Sequence, residues 1–272
     1  MPDLDGSYTF DRFTVTSQER EMARLQHQAT LLLPIESRIW TLAGLHSGMQ
    51  VVDIGCGAGI ISGAIARKIP HGKVWGIDRS TALLNAAAKF PASQQIPNLS
   101  FIPGDVYDLP LPDSTIDFVY GRLLFQHLTS PLRALAQIDR ILKPGGTICL
   151  VDVVDNWFTI DPEPPAFTAL RQRLLPIQRV QGGDPQVGGK LGNYLSTAGF
   201  GKIETRVEVV TSDRLGGIDR FLELLSFGNP YHSIDPDLEP LVVSARQATA
   251  ELATLPHAWA AFGLFVTTGR KF

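Results

Sequence analysis

Several things are scarce in this sequence, and each scarcity removes a class of protein. Only two of the 272 residues are cysteines, Cys56 and Cys149, and both fall in segments that read as strand or strand end, so no disulfide framework is expected and a reducing compartment fits. There is no long basic run. With 24 Lys and Arg against 27 Asp and Glu, the formal net charge is -3, and a chain with so little cationic excess is not expected to take nucleic acid as its partner. No apolar stretch approaches the length that spans a bilayer. The opening Met1-Pro2-Asp3-Leu4-Asp5-Gly6 is acidic and polar where a signal peptide would be basic and then apolar, so the expectation is a cytoplasmic protein. Internal repeats and low-complexity tracts are lacking too. At 44% hydrophobic residues, the composition is that of a globular protein with ample core.

What is present is an alternation of periods. From Thr16 to Gly44, Met22, Leu25, Ala29, Leu32, Ile35 and Ile39 keep a helical spacing, and Pro34 is expected to divide the stretch into two helices. Val51-Val52-Asp53-Ile54 reads as a strand, is ended by glycines, and leads into a helical spacing over Ile60 to Lys68. Further strands are expected at Lys73 to Ile77, Leu99 to Pro103, Thr115 to Tyr120 and Thr147 to Val151, with helices at Thr81 to Lys89 and Pro131 to Leu142. Such alternation implies a mostly parallel sheet with helices on both faces, and these sheets bind ligands beyond the carboxyl ends of their strands. After Asp152 the pattern loosens. Phe167 to Val180 reads as a helix interrupted by Pro176, Gly189 to Ala198, Ile218 to Phe227 and Asp237 to Leu255 read as helices, and Ile203 to Val210 and Trp259 to Thr268 as strands.

The loop Asp53-Ile54-Gly55-Cys56-Gly57-Ala58-Gly59 separates two nucleotide chemistries. A dinucleotide fingerprint needs G-x-G-x-x-G, whereas here the third glycine comes one place early and position 60 is Ile. Asp53 would repel a pyrophosphate but would tolerate a cationic amino acid and sulfonium. About twenty residues on, Val74-Trp75-Gly76-Ile77-Asp78 ends a second strand on a carboxylate, and Pro103-Gly104-Asp105-Val106, Ile116-Asp117-Phe118-Val119-Tyr120-Gly121-Arg122 and Lys143-Pro144-Gly145-Gly146 follow in order. Together these resemble the motifs of class I S-adenosylmethionine-dependent methyltransferases over about Gly48 to Asp152. The resemblance implies a Rossmann-like fold, with a mostly parallel seven-stranded twisted sheet, helices on both faces and a helical cap.

It also implies roles. Asp53, Gly55, Cys56 and Gly57 would cradle S-adenosylmethionine, Asp78 with Arg79 would take the ribose, and Gly104, Asp105 and Val106 the adenine. Gly121 and Arg122 would lie along the methionine portion, and Tyr8 and Gln28 would reach the cofactor from the cap. S-adenosylhomocysteine would be the product. Taken alone, Asp78 could equally be a helix cap. Arg122 and His127 fall where relatives line the cavity beside the methyl group; His127 is the candidate base, because an imidazole titrates near neutral pH, with a satisfied core histidine as its other reading.

The acceptor is expected to be a small molecule. Tyr120-Gly121-Arg122-Leu123 is not the Asp/Asn-Pro-Pro-aromatic loop of nucleic-acid methyltransferases, no paired glutamates follow it, and no acidic triplet suits a metal ion. Trp157, Phe158, Phe167, Leu174, Phe221, Leu225, Phe227 and Tyr231 are the expected walls, which favours an apolar or aromatic metabolite. The expected layout is one continuous domain, with residues 1–47 a helical cap, 48–152 the cofactor-binding core, and 153–272 completing the sheet with substrate-binding helices. A non-catalytic S-adenosylmethionine-binding protein and a nicotinamide-dependent oxidoreductase are the rival readings, and homodimerisation stays open.

Overall fold

The computed structural model describes residues 6–13, 15–89, 95–227, 235 and 237–272; Tyr231, an expected wall residue, lies outside them. Short β-branched runs bounded by glycine, aspartate or proline form the parallel half of the sheet. These are β1 (Gln50–Ile54), β2 (Lys73–Asp78), β3 (Leu99–Pro103), β4 (Ile116–Arg122) and β5 (Leu142–Val153), side by side in the order β3-β2-β1-β4-β5. The order reverses direction between β1 and β4, and a crevice opens there because the loops leaving the two strands turn to opposite sides.

Beyond β5 the sheet turns antiparallel. The strands β6 (Thr159–Asp161), β7 (Gly201–Thr211) and β8 (Trp259–Arg270) complete it, with β8 inserted between β5 and β7. The described strands number eight, against the seven expected. The extra one is β6, which pairs Thr159, Ile160 and Asp161 with Ala261, Ala260 and Trp259. Its cause is the length of β8, whose pairing with β5 ends at Val153 and Leu264 and so leaves backbone groups on that edge for the following chain to satisfy.

Helices cover both faces. In chain order they are α1 (Val15–Leu42), α2 (Ile60–Lys68), α3 (Thr81–Lys89), α4 (Pro131–Ile141), α5 (Pro165–Val180), α6 (Leu191–Thr197), α7 (Ser212–Leu215), α8 (Ile218–Leu222) and α9 (Leu238–Leu252). One core cluster packs Leu32 and Ile35 of α1, Ile65 of α2, Leu170 of α5 and Val242 of α9 on one face, and the other packs Ile138 of α4 and Leu195 of α6 on the opposite face. Among the described residues no helix is long and apolar enough to cross a membrane.

Two prolines behave differently from the sequence expectation. Pro34 does not divide α1, and Pro176 does not interrupt α5. Both rings lie on exposed faces, as do Thr30 and Gln172 one turn earlier, so each carbonyl deprived of its N–H partner can turn to water while the buried stripe stays continuous. Lys143 to Gly146 is drawn into β5 as a bulge, since the pairing with β4 jumps from Ile116 and Leu142 to Phe118 and Thr147. The helix expected over Ile218 to Phe227 stops at Leu222.

Candidate active site

The three loops that leave β1, β2 and β3 meet at Asp78. The Gly57 N–H donates to its Oδ2 at 2.9 Å, the Ser80 N–H to its Oδ1 at 2.9 Å, and the Gly104 N–H to its backbone carbonyl at 3.1 Å. Asp78 is not the cap of α3. That role belongs to Ser80, whose Oγ accepts from the Leu83 N–H at 3.1 Å and donates to Asp11 at 2.7 Å. Each Asp78 oxygen keeps lone-pair capacity beyond its backbone partner. Burial pushes its pKa up, against the pull of the Ser80 and Gly57 N–H groups.

The glycine loop is shaped by two different needs. A Cβ on Gly59 would sit 2.5 Å from Phe101 Cζ, so this residue is required for packing. At Gly57, with φ of 53°, a Cβ would meet nothing within 4 Å, and its absence leaves the backbone bare toward open space. That space is a cavity of about 580 Å³, within the range that holds a nucleoside-sized ligand and more.

Of the expected site residues, Tyr8, Gln28, Gly55, Cys56, Gly57, Asp78, Arg79, Gly104, Asp105, Val106, Arg122 and His127 line this one cavity. Asp53 and Gly121 do not. Asp53 shares the β1 face with Val51, beneath α2, where it is 2% exposed and its Oδ2 accepts from Ser62 Oγ at 2.5 Å. Burial and the neighbouring Glu36 push its pKa up to about 7, so the repelling carboxylate read from the sequence is instead a covered, half-neutral one. Gly121 is clasped between Ile54 and Leu150, whose side chains lie 3.1 Å from where its Cβ would be, which makes it a packing position in β4.

Arg122 reaches the cavity from the end of β4 but is already engaged. It pairs with the fully buried Glu36 of α1, which also accepts from Tyr120 Oη, and its Nη2 donates to Gln28 Oε1 at 3.4 Å. Arg79 donates to the Tyr8 carbonyl and, at 3.2 Å, to Thr9 Oγ1, and so fastens the segment before α1 to the β2 loop. Cys56 is buried and its thiol is held well above the ordinary range by desolvation. Asp105 accepts from the Tyr107 N–H at 2.8 Å, which closes a turn after β3.

His127 departs from the expectation of near-neutral titration. Its Nδ1 lies 2.8 Å from Ser7 Oγ, its ring faces Tyr8 at 5.2 Å, and desolvation with the charges of Arg79 and Arg24 pushes its pKa down to about 3. The imidazole is therefore neutral at pH 7.

Away from the crevice the lining of the cavity is largely apolar and forms a chamber. Phe158, Phe167, Leu174, Leu225 and Phe227 line it as expected, while Trp157 is 52% exposed and Phe221 is sealed in the core. The sequence reading missed the polar partners on α1. Glu21, wholly buried, accepts from Tyr8 Oη at 3.1 Å and from Arg24 Nε at 2.9 Å, and Arg24 Nη1 donates to the Leu224 carbonyl at 3.2 Å. Glu21, Arg24 and Glu36 fall on the helical period that faces the core, and charge on that face was the available signal.

Comparison with known proteins agrees with this geometry. Residues 52–150, from β1 to β5, match a family described as a methyltransferase domain. An uncharacterized methyltransferase of Schizosaccharomyces pombe is 36% identical over 106 residues, 37% of this chain and 38% of that protein. A demethylmenaquinone methyltransferase of Staphylococcus aureus is 30% identical over 131 residues, 48% of this chain and 51% of that one, so the likeness spans about half or less of these relatives' lengths. Among solved structures, the cyclase SpnF superposes with a TM-score of 0.58 at 23% identity over 88% of this chain and 80% of its own, a likeness of fold. The stretch from β1 to β5 thus matches a methyltransferase domain, in agreement with the class I S-adenosylmethionine-dependent methyltransferase motifs read from the sequence over the same residues.

Proposed function

We propose that the chain binds S-adenosylmethionine in the crevice at the ends of β1, β2 and β3 and methylates a small apolar or aromatic metabolite, releasing S-adenosylhomocysteine. The observation that carries this reading is Asp78, a half-buried residue that ties both neighbouring loops, its carboxylate accepting from the Gly57 N–H and its carbonyl from the Gly104 N–H, beside the open side of Gly57. Two ribose hydroxyls are the donors that suit its remaining lone pairs, and a diphosphate is the group it would repel. Asp105 and Val106 would take the adenine. Gly55, Cys56 and Gly57 would lie along the methionine portion, with Gln28 and Arg122 opposite and Tyr8 and Arg79 above.

When bound, the cofactor supplies a methyl carbon already activated by a sulfonium, so the protein's task is positioning. Orientation of two reactants is worth about 7 to 11 kcal/mol of barrier. The apolar chamber would hold the acceptor and exclude water, with neutral His127 at its border able to hydrogen-bond the reacting group. The hydrocarbon lining favours an apolar acceptor, and the relative named as a demethylmenaquinone methyltransferase points the same way. In this layout residues 1–47 form the cap, 48–152 the cofactor core and 153–272 the remaining sheet with the acceptor-binding helices.

Calorimetry tests the first half: S-adenosylmethionine and S-adenosylhomocysteine bind at micromolar concentration and NAD does not compete. Folded protein that binds neither removes the reading. The second half is tested by incubation with metabolite extracts, read as a mass gain of one methylene; cofactor binding with no transfer to any extract would make the chain a binding protein.

A further inference from the structure

Every arginine that reaches the cavity is matched by a carboxylate among the described residues. Arg24 Nη2 donates to Glu21 at 2.6 Å, Arg122 pairs with Glu36, Arg171 Nη2 donates to Asp155 at 2.6 Å, and Arg79 stands beside Asp78. His127 adds no charge at neutral pH. An ion entering the chamber would therefore lose its hydration and gain no free countercharge from the arginines of the wall.

One buried polar side chain in the chamber wall has an atom left over. Gln178 of α5 is 9% exposed, and its Nε2 donates to the Gln126 carbonyl at 3.3 Å, which sets the orientation of the amide. Its Oε1 has no hydrogen-bond partner among the described residues and is not one of the side-chain atoms sealed from solvent, so it is open to a donor from the chamber. Gln126 immediately precedes His127, so the amide and the imidazole belong to the same wall.

We infer that the methyl acceptor is an uncharged molecule whose apolar body carries a hydroxyl or N–H that donates to Gln178 Oε1. This rests on the methyl-transfer reading and narrows its substrate class. A carboxylate at that point would set lone pair against lone pair, and an ether or hydrocarbon of the same shape would leave the amide oxygen unpaired. Sites built to accept a substrate O–H reject analogues that lack it far more strongly than they sense an extra methylene.

Three probes on one ring frame test this: 2-naphthol, 2-methoxynaphthalene and 2-naphthoate, each titrated by calorimetry into the full chain saturated with S-adenosylhomocysteine. The naphthol is expected to bind at least tenfold more tightly than either of the others, and Gln178→Met to bring it down to the level of the ether. Absence of naphthol binding, equal affinity for the three, or tighter naphthoate overturns the inference on the unmodified protein alone, and so does a Gln178→Met chain that keeps the preference. Failure to take up S-adenosylhomocysteine in the first step would count against the function itself, whereas uptake followed by no preference counts only against the role of Gln178.

Discussion

Asp78 is the residue on which most depends, because three loops and the proposed ribose site share it. Replacing it with alanine is expected to cost about 1.5 to 3 kcal/mol of cofactor affinity, ten- to hundredfold, from the loss of hydrogen bonds to a charged group. S-adenosylhomocysteine titration measures this, and unchanged affinity would leave Asp78 only as a tie between loops. At His127 the expectation concerns pH: since burial holds its pKa near 3, the ring stays neutral from pH 5 to 8 and the rate should show no inflection near 6.5 from this group. A bell or step at that value, lost in His127→Ala, would contradict the buried environment. Asp78, Asp105 and Gly57 were legible because a carboxylate or glycine at a strand end has few alternative uses. Asp53 was not, since the face a strand residue chooses depends on its parity with Val51 and on the helix that lands above it.

The strands of the parallel half were readable nearly to the residue, whereas the proline rule failed in α1 and α5. Proline breaks a helix through a missing N–H and a crowded carbonyl, and both penalties shrink when the site faces water and the other side of the helix is buried. The penalty should not vanish, however. Pro34→Ala restores a donor to the Thr30 carbonyl, so the midpoint of thermal unfolding should rise, the gain being smaller than the roughly 3 kcal/mol of a fully misfit proline. A lower midpoint would mean that the ring itself packs against something. Charge is the second thing on α1 that pattern reading passed over. Glu36 holds Arg122 and Tyr120 in the dry seam between α1 and the sheet, and Glu36→Ala, which strands a buried guanidinium, should cost about 3 to 5 kcal/mol in denaturant unfolding. A loss under 1 kcal/mol, on the order of an exposed pair, would place the seam in water.

For the whole molecule, buried titratable groups set the response of stability to pH. Asp53 and Asp152 have native pKa values pushed up to about 7 by burial, so each stabilises the fold fully below the unfolded carboxylate value and loses that contribution as pH rises toward 7. His127 works in the opposite sense, its contribution being complete above 6.5 and lost as pH falls toward 3. Two losses against one gain leave a net decline with rising pH from these three. Asp53→Asn removes one decline, and its Oδ1 can still accept from Ser62, so its stability relative to the parent should improve by about 2 to 3 kcal/mol between pH 5 and 7.5. Parallel curves for the two proteins would show that Asp53 ionises freely. The overall architecture was legible from alternating periods. The contents of the acceptor chamber were not, because α5 and the segment after α8 are brought together by long-range packing that leaves no periodic mark.

The fastening of Tyr8 and Asp11 onto Arg79 and Ser80 has a kinetic meaning. Those anchor points flank the carboxylate proposed to hold the ribose, so on that reading the strap between them would have to come loose before a spent donor molecule departs. Turnover in such an arrangement runs at the pace of that unfastening when the bond-making step is fast, and cutting the strap at Asp11 would speed release while weakening capture.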